Sequence, residues 1–136
     1  MKLEEIMSLA EEDAALDYSE LGIEATKLTK LIMKWLKIFS TERLTYLAFK
    51  RKADLIYKEL SDYYSGRGEN VYEHRLMKED IKLYITNDDK YKDIRDKIEM
   101  QEIKIEFLEN FIKALHSRGF NIKSAIEYLK FTNGNS

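Results

Sequence analysis

The feature that most constrains the fold of this chain is a regular spacing of apolar residues between Leu21 and Tyr63. They recur at steps of three and four, which holds one heptad register for about six repeats, and only Glu42 interrupts it. The positions are Leu21, Ala25, Leu28, Ile32, Trp35, Phe39, Tyr46, Phe49, Ala53, Ile56, Leu60 and Tyr63. This register predicts a long helix packed along a coiled-coil-like seam, and the sequence contains no proline that would break it.

A second apolar seam lies in the C-terminal half of the chain, with Gln101 as its polar exception. We interpret its apolar members as an interface between copies of the chain: Ile94, Ile98, Ile105, Leu108, Ile112 and Leu115. A further stripe runs beside it at Met100, Ile103, Phe107 and Phe111. Two stripes on one helix indicate contacts on two sides, as in a bundle or a helical ring.

Small and polar residues mark the ends of the predicted helices. The first helix is predicted over Leu3–Ala15, and Asp17 or Ser19 can cap the next one. The long helix is predicted to end at Ser65-Gly66. Within it, Ser40-Thr41 can cap a new helix and produce a mild kink.

The C-terminal half is predicted to contain two helices joined by a tight turn. The longer one starts at Asn87-Asp88-Asp89 and reaches about Ser117, where Gly119 is placed as the glycine that ends a helix. The last helix covers Asn121–Phe131, and the final "TNGNS" is a frayed tail. Arg75–Asp88 fits a short helix or a strand, and helix is favoured because its neighbours are helical.

These elements predict an all-α fold of long coiled-coil-like helices with a C-terminal helical hairpin. Residues 1–65 form an acidic helix and a long basic helix, which is the candidate DNA-binding region. Residues 66–88 form a loop and a short element, and residues 89–136 form a helical region for oligomerisation. A helix of about 65 Å needs partner helices, because a monomer of this size cannot bury it.

Charge is distributed unevenly along the chain, although the net charge of its 136 residues is only −2. Residues 1–26 carry one lysine against eight acidic residues, whereas residues 27–58 carry nine basic residues against Glu42 and Asp54. Four of these bases recur at steps of three and four: Lys27, Lys30, Lys34 and Lys37. Such a basic face either keeps a protein soluble or binds a polyanion.

No pattern in the sequence indicates an enzyme, a metal site or a cofactor. His74 and His116 do not show metal-ligand spacing, and there is no cysteine. "GRGEN" lacks the Lys-Ser/Thr and the preceding strand of a phosphate-binding loop. The start of the chain is too acidic for a signal peptide, and no apolar run approaches the roughly 20 residues of a membrane helix, so a cytoplasmic protein is expected.

The stretch "SDYYSGRGEN", Ser61–Asn70, joins adjacent tyrosines to an arginine between two glycines, beside the basic segment. Lysine and arginine neutralise phosphates, and aromatic rings stack on unpaired bases. Because a duplex hides its base faces, the combination favours single strands. Tyr63 lies on the apolar seam and is expected to be packed, whereas Tyr64 lies off it and is expected to be free to stack.

The same stretch also carries a family resemblance. "DYYSGRG" (Asp62–Gly68), with "SRGFNIK" (Ser117–Lys123) further along the chain, resembles the UvsY recombination mediator family of T-even-like bacteriophages. The opening "MKLEE" and "KWL" at Lys34–Leu36 fit the same family, so the resemblance spans essentially the whole chain.

The resemblance implies a non-enzymatic protein that binds single-stranded DNA and forms a cyclic homo-oligomer, a ring of about six or seven subunits. It implies two protein partners, a RecA-like recombinase and the phage single-strand-binding protein. The mediator helps to load the first onto DNA covered by the second, in the cytoplasm of the bacterial host.

The DNA-binding motif of the family is basic and lies just before the "DYY", where this chain reads "YKELSDYY". Lys58 matches a basic position of the motif, but its second basic residue is replaced by Leu60 and a leucine is replaced by Ser61. Neighbouring bases can supply the missing charge. The candidate contacts with single-stranded DNA are Lys50, Arg51, Lys52, Lys58, Tyr64 and Arg67.

Two other functions stay open on the sequence alone. A helical scaffold or adaptor without a nucleic-acid role needs only the apolar seams, and it predicts no salt-dependent binding of single strands. A regulator that binds duplex DNA needs a recognition helix, and the sequence contains neither the glycine turn of a helix-turn-helix nor a zinc finger.

Overall fold

The structure is a computed structural model that describes residues 1–134. The element order is α1 (Leu3–Ala14), a 3-10 turn (Tyr18–Glu20), α2 (Leu21–Ser65), α3 (Lys78–Asn87) and α4 (Asp89–Thr132). No strand occurs among these described residues. The all-α prediction is therefore confirmed, as is the choice of helix over strand for the short element.

The predicted start of the chain agrees with the structure to within one residue. On α1, Ile6 and Ala10 are one turn apart and both are buried. The carboxylate of Asp17 accepts hydrogen bonds from the backbone N–H and the hydroxyl of Ser19, at 3.0 and 2.6 Å. This cap holds the 3-10 turn that leads directly into α2.

The second helix, α2, continues without a break through Ser40 and Thr41. The Thr41 hydroxyl donates to the carbonyl oxygen of Lys37 at 3.0 Å, one turn back, instead of capping a new helix. The helix ends where Gly66 adopts a left-handed φ of +78°. The amide of Gly66 donates to Tyr63 O and that of Arg67 to Asp62 O, which is a Schellman motif.

The C-terminal hairpin prediction is wrong, because α4 runs as one helix through Gly119 to Thr132. Glycine within a helix costs about 1 kcal/mol relative to alanine, but it does not force a turn. Leu115 and Ile122 lie seven residues apart on one face and are both buried, so packing on either side of Gly119 favours continuation. Of the predicted frayed tail, Asn135 and Ser136 lie outside the described residues.

One compact unit contains residues 1–41 and the chain from Lys104 onward. Its core gathers buried side chains from α1, α2 and α4: Ile6, Ala10, Trp35, Leu108, Ile112 and Leu115. Trp35 is fully buried, and its indole Nε1 donates to Asp13 Oδ2 at 2.8 Å. Lys34 Nζ lies 2.7 Å from the same carboxylate oxygen. The buried edge of the tryptophan is thus satisfied by a residue of the acidic first helix.

The other compact unit is Glu42–Ile103. Its buried apolar side chains are Ala53, Leu60, Ile85 and Ile94. The two polar residues that interrupt the apolar seams, Glu42 and Gln101, are buried against each other. Gln101 Nε2 donates to the backbone carbonyl and to the carboxylate of Glu42, at 2.7 and 2.8 Å. The two interruptions are therefore one hydrogen-bonded pair.

Candidate nucleic-acid interface

A cleft of about 870 Å³ lies in the second unit, formed by the end of α2, the loop of residues 66–77 and α3. We call it the basic cleft. The residues used in describing it are Tyr57, Tyr64, Arg67, Tyr72, Glu73, His74, Arg75, Lys78 and Lys82.

The way α2 ends positions this cleft. The left-handed Gly66 turns the chain away from the helix axis. The amide of Tyr72 then donates to the carbonyl oxygen of Tyr63 at 3.0 Å, which ties the loop back to the last turn of α2. The loop thereby places Tyr72 against the tyrosines of α2.

Four tyrosine rings pack together beside the cleft, and we call them the tyrosine cluster: Tyr63, Tyr64, Tyr72 and Tyr84. The ring centroids of Tyr64 lie 5.3 Å from Tyr72 and 5.6 Å from Tyr84. The Tyr64 hydroxyl donates to Asp88 Oδ2 at 2.8 Å. Tyr64 is therefore half-buried, as Tyr63 is, and its ring is held in place. This differs from the expectation that Tyr64 is free to stack.

The cluster raises the pKa of two of its hydroxyl groups. Burial and then the hydrogen bond to Asp88 raise the pKa of Tyr64 to about 12. Burial, followed by the neighbouring Tyr84, also raises the pKa of Tyr72. Both groups stay protonated near neutral pH, so the rings present uncharged faces that do not repel phosphate.

Sequence reasoning missed three basic residues that line the cleft. Arg75 lines the cleft from the loop, as Arg67 does, and Lys78 and Lys82 line it from α3; all four are exposed. The one acidic residue in the lining is Glu73. A signal was present, because Arg75, Lys78 and Lys82 follow steps of three and four.

The six predicted DNA contacts fall into three groups. Tyr64 and Arg67 line the basic cleft, where Arg67 Nε donates to Ser65 Oγ at 3.0 Å. Lys50, Arg51 and Lys58 are exposed on α2 but do not line the cleft. Lys52 lines a separate groove of about 300 Å³.

Helical geometry places two of these basic residues on the side of α2 that faces the cleft. At about 100° per residue, Lys50 lies about 20° around the α2 axis from Ser61, which lines the cleft. Lys58 lies at a similarly small angle from Ser65, another lining residue. Lys52 lies about 160° from Lys50. The run of three adjacent basic residues therefore does not share one face of α2.

The structure shows the environment of Leu60, which replaces the second basic residue of the family's DNA-binding motif. Leu60 is 7% exposed and belongs to the buried side chains of its unit. Its position faces the interior, so in this chain it offers no phosphate contact.

The residues predicted as an oligomer interface lie mostly inside the chain. Ile94, Ile105, Leu108, Ile112 and Leu115 are buried, and Ile98 is half-buried. These side chains already pack within one copy, which leaves little of their area for a second copy. The exposed aromatic residues of α4 are Phe120, Tyr128 and Phe131.

Residues 1–134 contain no group of three or more histidine, cysteine, aspartate or glutamate side chains arranged to hold a metal ion. None of the helices found there combines the length and the apolar character needed to cross a membrane.

The fold and the site define a class: an all-helical protein with a cleft that combines cations and uncharged aromatic rings, the two chemistries that bind single-stranded nucleic acid. Residues 9–135 match the family described as "Recombination, repair and ssDNA binding protein UvsY". The chain therefore belongs to this family, and the resemblance seen in the sequence is confirmed.

Similar proteins agree with this assignment. The chain is 27% identical over 136 residues to the recombination protein uvsY of Enterobacteria phage T4, covering 98% of this chain and 99% of that protein. A crystal structure of the bacteriophage T4 recombination mediator protein UvsY matches with a TM-score of 0.91 over 98% of both chains, at 27% identity. A second crystal form matches with a TM-score of 0.89, at 26% identity, over 96% of this chain and 99% of that one.

Proposed function

We propose that this protein is a recombination mediator that binds single-stranded DNA and promotes loading of a RecA-like recombinase onto DNA covered by a phage single-strand-binding protein. The observation that carries the proposal is the basic cleft with its tyrosine cluster, in a chain whose family has a role in recombination, repair and single-stranded DNA binding. The work is done in the cytoplasm of the infected bacterium.

The phosphates of the strand first contact exposed basic side chains of the protein. Lys50 and Lys58 on α2 lead along one face toward the cleft, where Arg67 follows them. Residues 27–58 carry nine basic residues against two acidic ones, so this part of the chain attracts a polyanion although the whole chain is slightly acidic.

A cyclic homo-oligomer multiplies such a site. When several subunits hold one strand, each modest contact adds avidity without any new chemistry. A strand held on successive subunits is bent and withdrawn from the single-strand-binding protein, which favours nucleation of the recombinase. The exposed aromatic residues of α4, Phe120, Tyr128 and Phe131, offer apolar area for contacts between copies.

Charge reversal tests the site. We expect the double variant Lys58→Glu with Arg67→Glu to bind an oligo-dT strand more weakly than the natural chain. The slope of log K against log salt should become shallower by about 1.4, since each lost phosphate contact on a single strand contributes about 0.7. Fluorescence anisotropy at several salt concentrations measures both, with the mass of the complexes measured in the same samples.

A matched control is Lys92→Glu with Arg95→Glu, which reverses two exposed charges of α4 that line neither the basic cleft nor the groove of Lys52. This control should bind like the natural chain. Unchanged binding in the first double variant would contradict the site. If the natural chain shows no salt-dependent binding of single strands, the scaffold function is favoured instead. Mediation itself is measured as the rate at which the recombinase assembles on DNA precoated with the single-strand-binding protein. The protein should raise this rate.

A further inference from the structure

We propose that the basic cleft takes the bases of the strand, so that the protein holds at least one nucleotide unstacked as well as neutralising the backbone. The inference rests on the proposed binding of single-stranded DNA and adds the chemistry of the ligand. That ligand is an unpaired nucleobase whose neighbouring phosphates lie on the rim of the cleft.

The cleft has the dimensions of a pocket for an organic group. Its volume of about 870 Å³ lies within the range of about 300–1,000 Å³ that is usual for small-molecule sites. Aromatic rings enter its lining from α2 and from the loop. These rings are Tyr57, Tyr64, Tyr72 and His74.

The rings are already fixed before a ligand binds. Tyr72 lies within 5.3 Å of Tyr64 and 5.7 Å of Tyr84, measured between ring centroids, and 5.5 Å from His74. Tyr64 is in turn oriented by its hydrogen bond to Asp88. A base that stacks on these rings therefore meets side chains that lose little conformational freedom on binding.

Cationic side chains line the same cleft as these rings and can neutralise the phosphates of such a nucleotide. Arg67, Arg75, Lys78 and Lys82 line the cleft, and 68% of the Arg67 side chain is exposed. Arginine also stacks on a base through its planar guanidinium group, which lysine does not. The cleft thus combines positive charge with aromatic rings in one lining.

A second groove in the same unit is basic without containing aromatic rings. It is lined by Lys52, Lys90 and Lys97, with Asp93 and two isoleucines, and by no aromatic ring. A surface that only neutralised phosphate would resemble this groove. The concentration of rings in the basic cleft is the feature that points to the base.

The experiment compares an oligo-dT strand with an abasic strand of the same length, which has the same phosphates but no bases. We expect the natural chain to bind the dT strand about tenfold or more tightly, since one stacked base contributes a factor of this order. Tyr72→Ala should reduce this preference towards one while leaving affinity for the abasic strand unchanged. Tyr72→Phe keeps the ring and should keep the preference.

Tyr18→Ala is the matched control, because Tyr18 is 71% exposed on the 3-10 turn and lies outside the cleft. Retained binding of the abasic strand shows that each variant is folded. Equal affinity of the natural chain for both strands overturns the inference. So does a Tyr72→Ala variant that keeps the whole preference for the dT strand. Either result leaves the proposed function intact. Binding of neither strand overturns the proposed function itself.

Discussion

Replacing Gln101 by leucine tests the buried polar pair of the second unit. Gln101 is 2% exposed and Glu42 is 5% exposed, so neither is solvated by bulk water. The variant loses a hydrogen bond to a backbone carbonyl and one to a carboxylate. The first contributes about 1 kcal/mol and the second about 1.5–3 kcal/mol. We therefore expect the free energy of unfolding to fall by about 3 kcal/mol.

Urea denaturation followed by helical circular dichroism measures this change. With a slope of about 2–3 kcal/mol per molar urea for a chain of this size, the midpoint should fall by about 1–1.5 M. Protein concentration is kept constant, because any oligomer makes apparent stability depend on it. Met100→Leu, at a neighbouring half-exposed position, is the control and should leave the midpoint nearly unchanged.

The double variant Glu42→Leu with Gln101→Leu should recover much of the loss. Replacing both members of a buried polar pair by apolar side chains removes the cost of a buried carboxylate that has lost this donor. A midpoint in Gln101→Leu equal to or above that of the natural chain would refute the reasoning. It would mean that the pair contributes nothing to stability.

Two further predictions concern single positions. Gly119→Ala should raise the free energy of unfolding by about 0.5–1 kcal/mol in the same urea assay, because a Cβ there lies 3.5 Å from Leu28 Cδ2, an ordinary contact; a loss of stability would contradict a continuous α4. The raised folded pKa of Tyr64, about 12 against an ordinary 10.0, stabilises the fold fully below pH 10, and this stabilisation is lost as pH rises through about 12. Urea midpoints in a pH series should show a larger loss in the natural chain than in Tyr64→Phe, in which the raised pKa of Tyr72 still contributes, and an equal decline in the two chains would exclude Tyr64 as a source.

Local patterns in the sequence determined the helices and most of their ends. Steps of three and four predict a helix wherever one face is apolar, and Gly66 predicts the end of α2 because glycine adopts a left-handed φ without strain. The same logic failed at Gly119, because a glycine also occurs inside helices. Whether it ends one depends on the packing of its neighbours, and Leu115 and Ile122 favour continuation here.

The family followed from a few letters of the sequence, whereas the candidate site did not. "DYYSGRG" and "SRGFNIK" together predicted the family that residues 9–135 then matched. The composition of the basic cleft needed coordinates. Tyr72 and Tyr84 meet Tyr64 only because the loop folds back onto α2, and no spacing rule relates residues that a loop separates.

The sequence by itself thus determined which segments are helical, which face of each helix is apolar and which family the chain resembles. Tertiary structure decided that Glu42 and Gln101, the two polar residues that interrupt the apolar seams, form a hydrogen-bonded pair. It also decided which basic residues share a surface with aromatic rings. The physical reason is range. Periodicity and capping act over a few residues, whereas pairing across 59 positions depends on how whole helices pack.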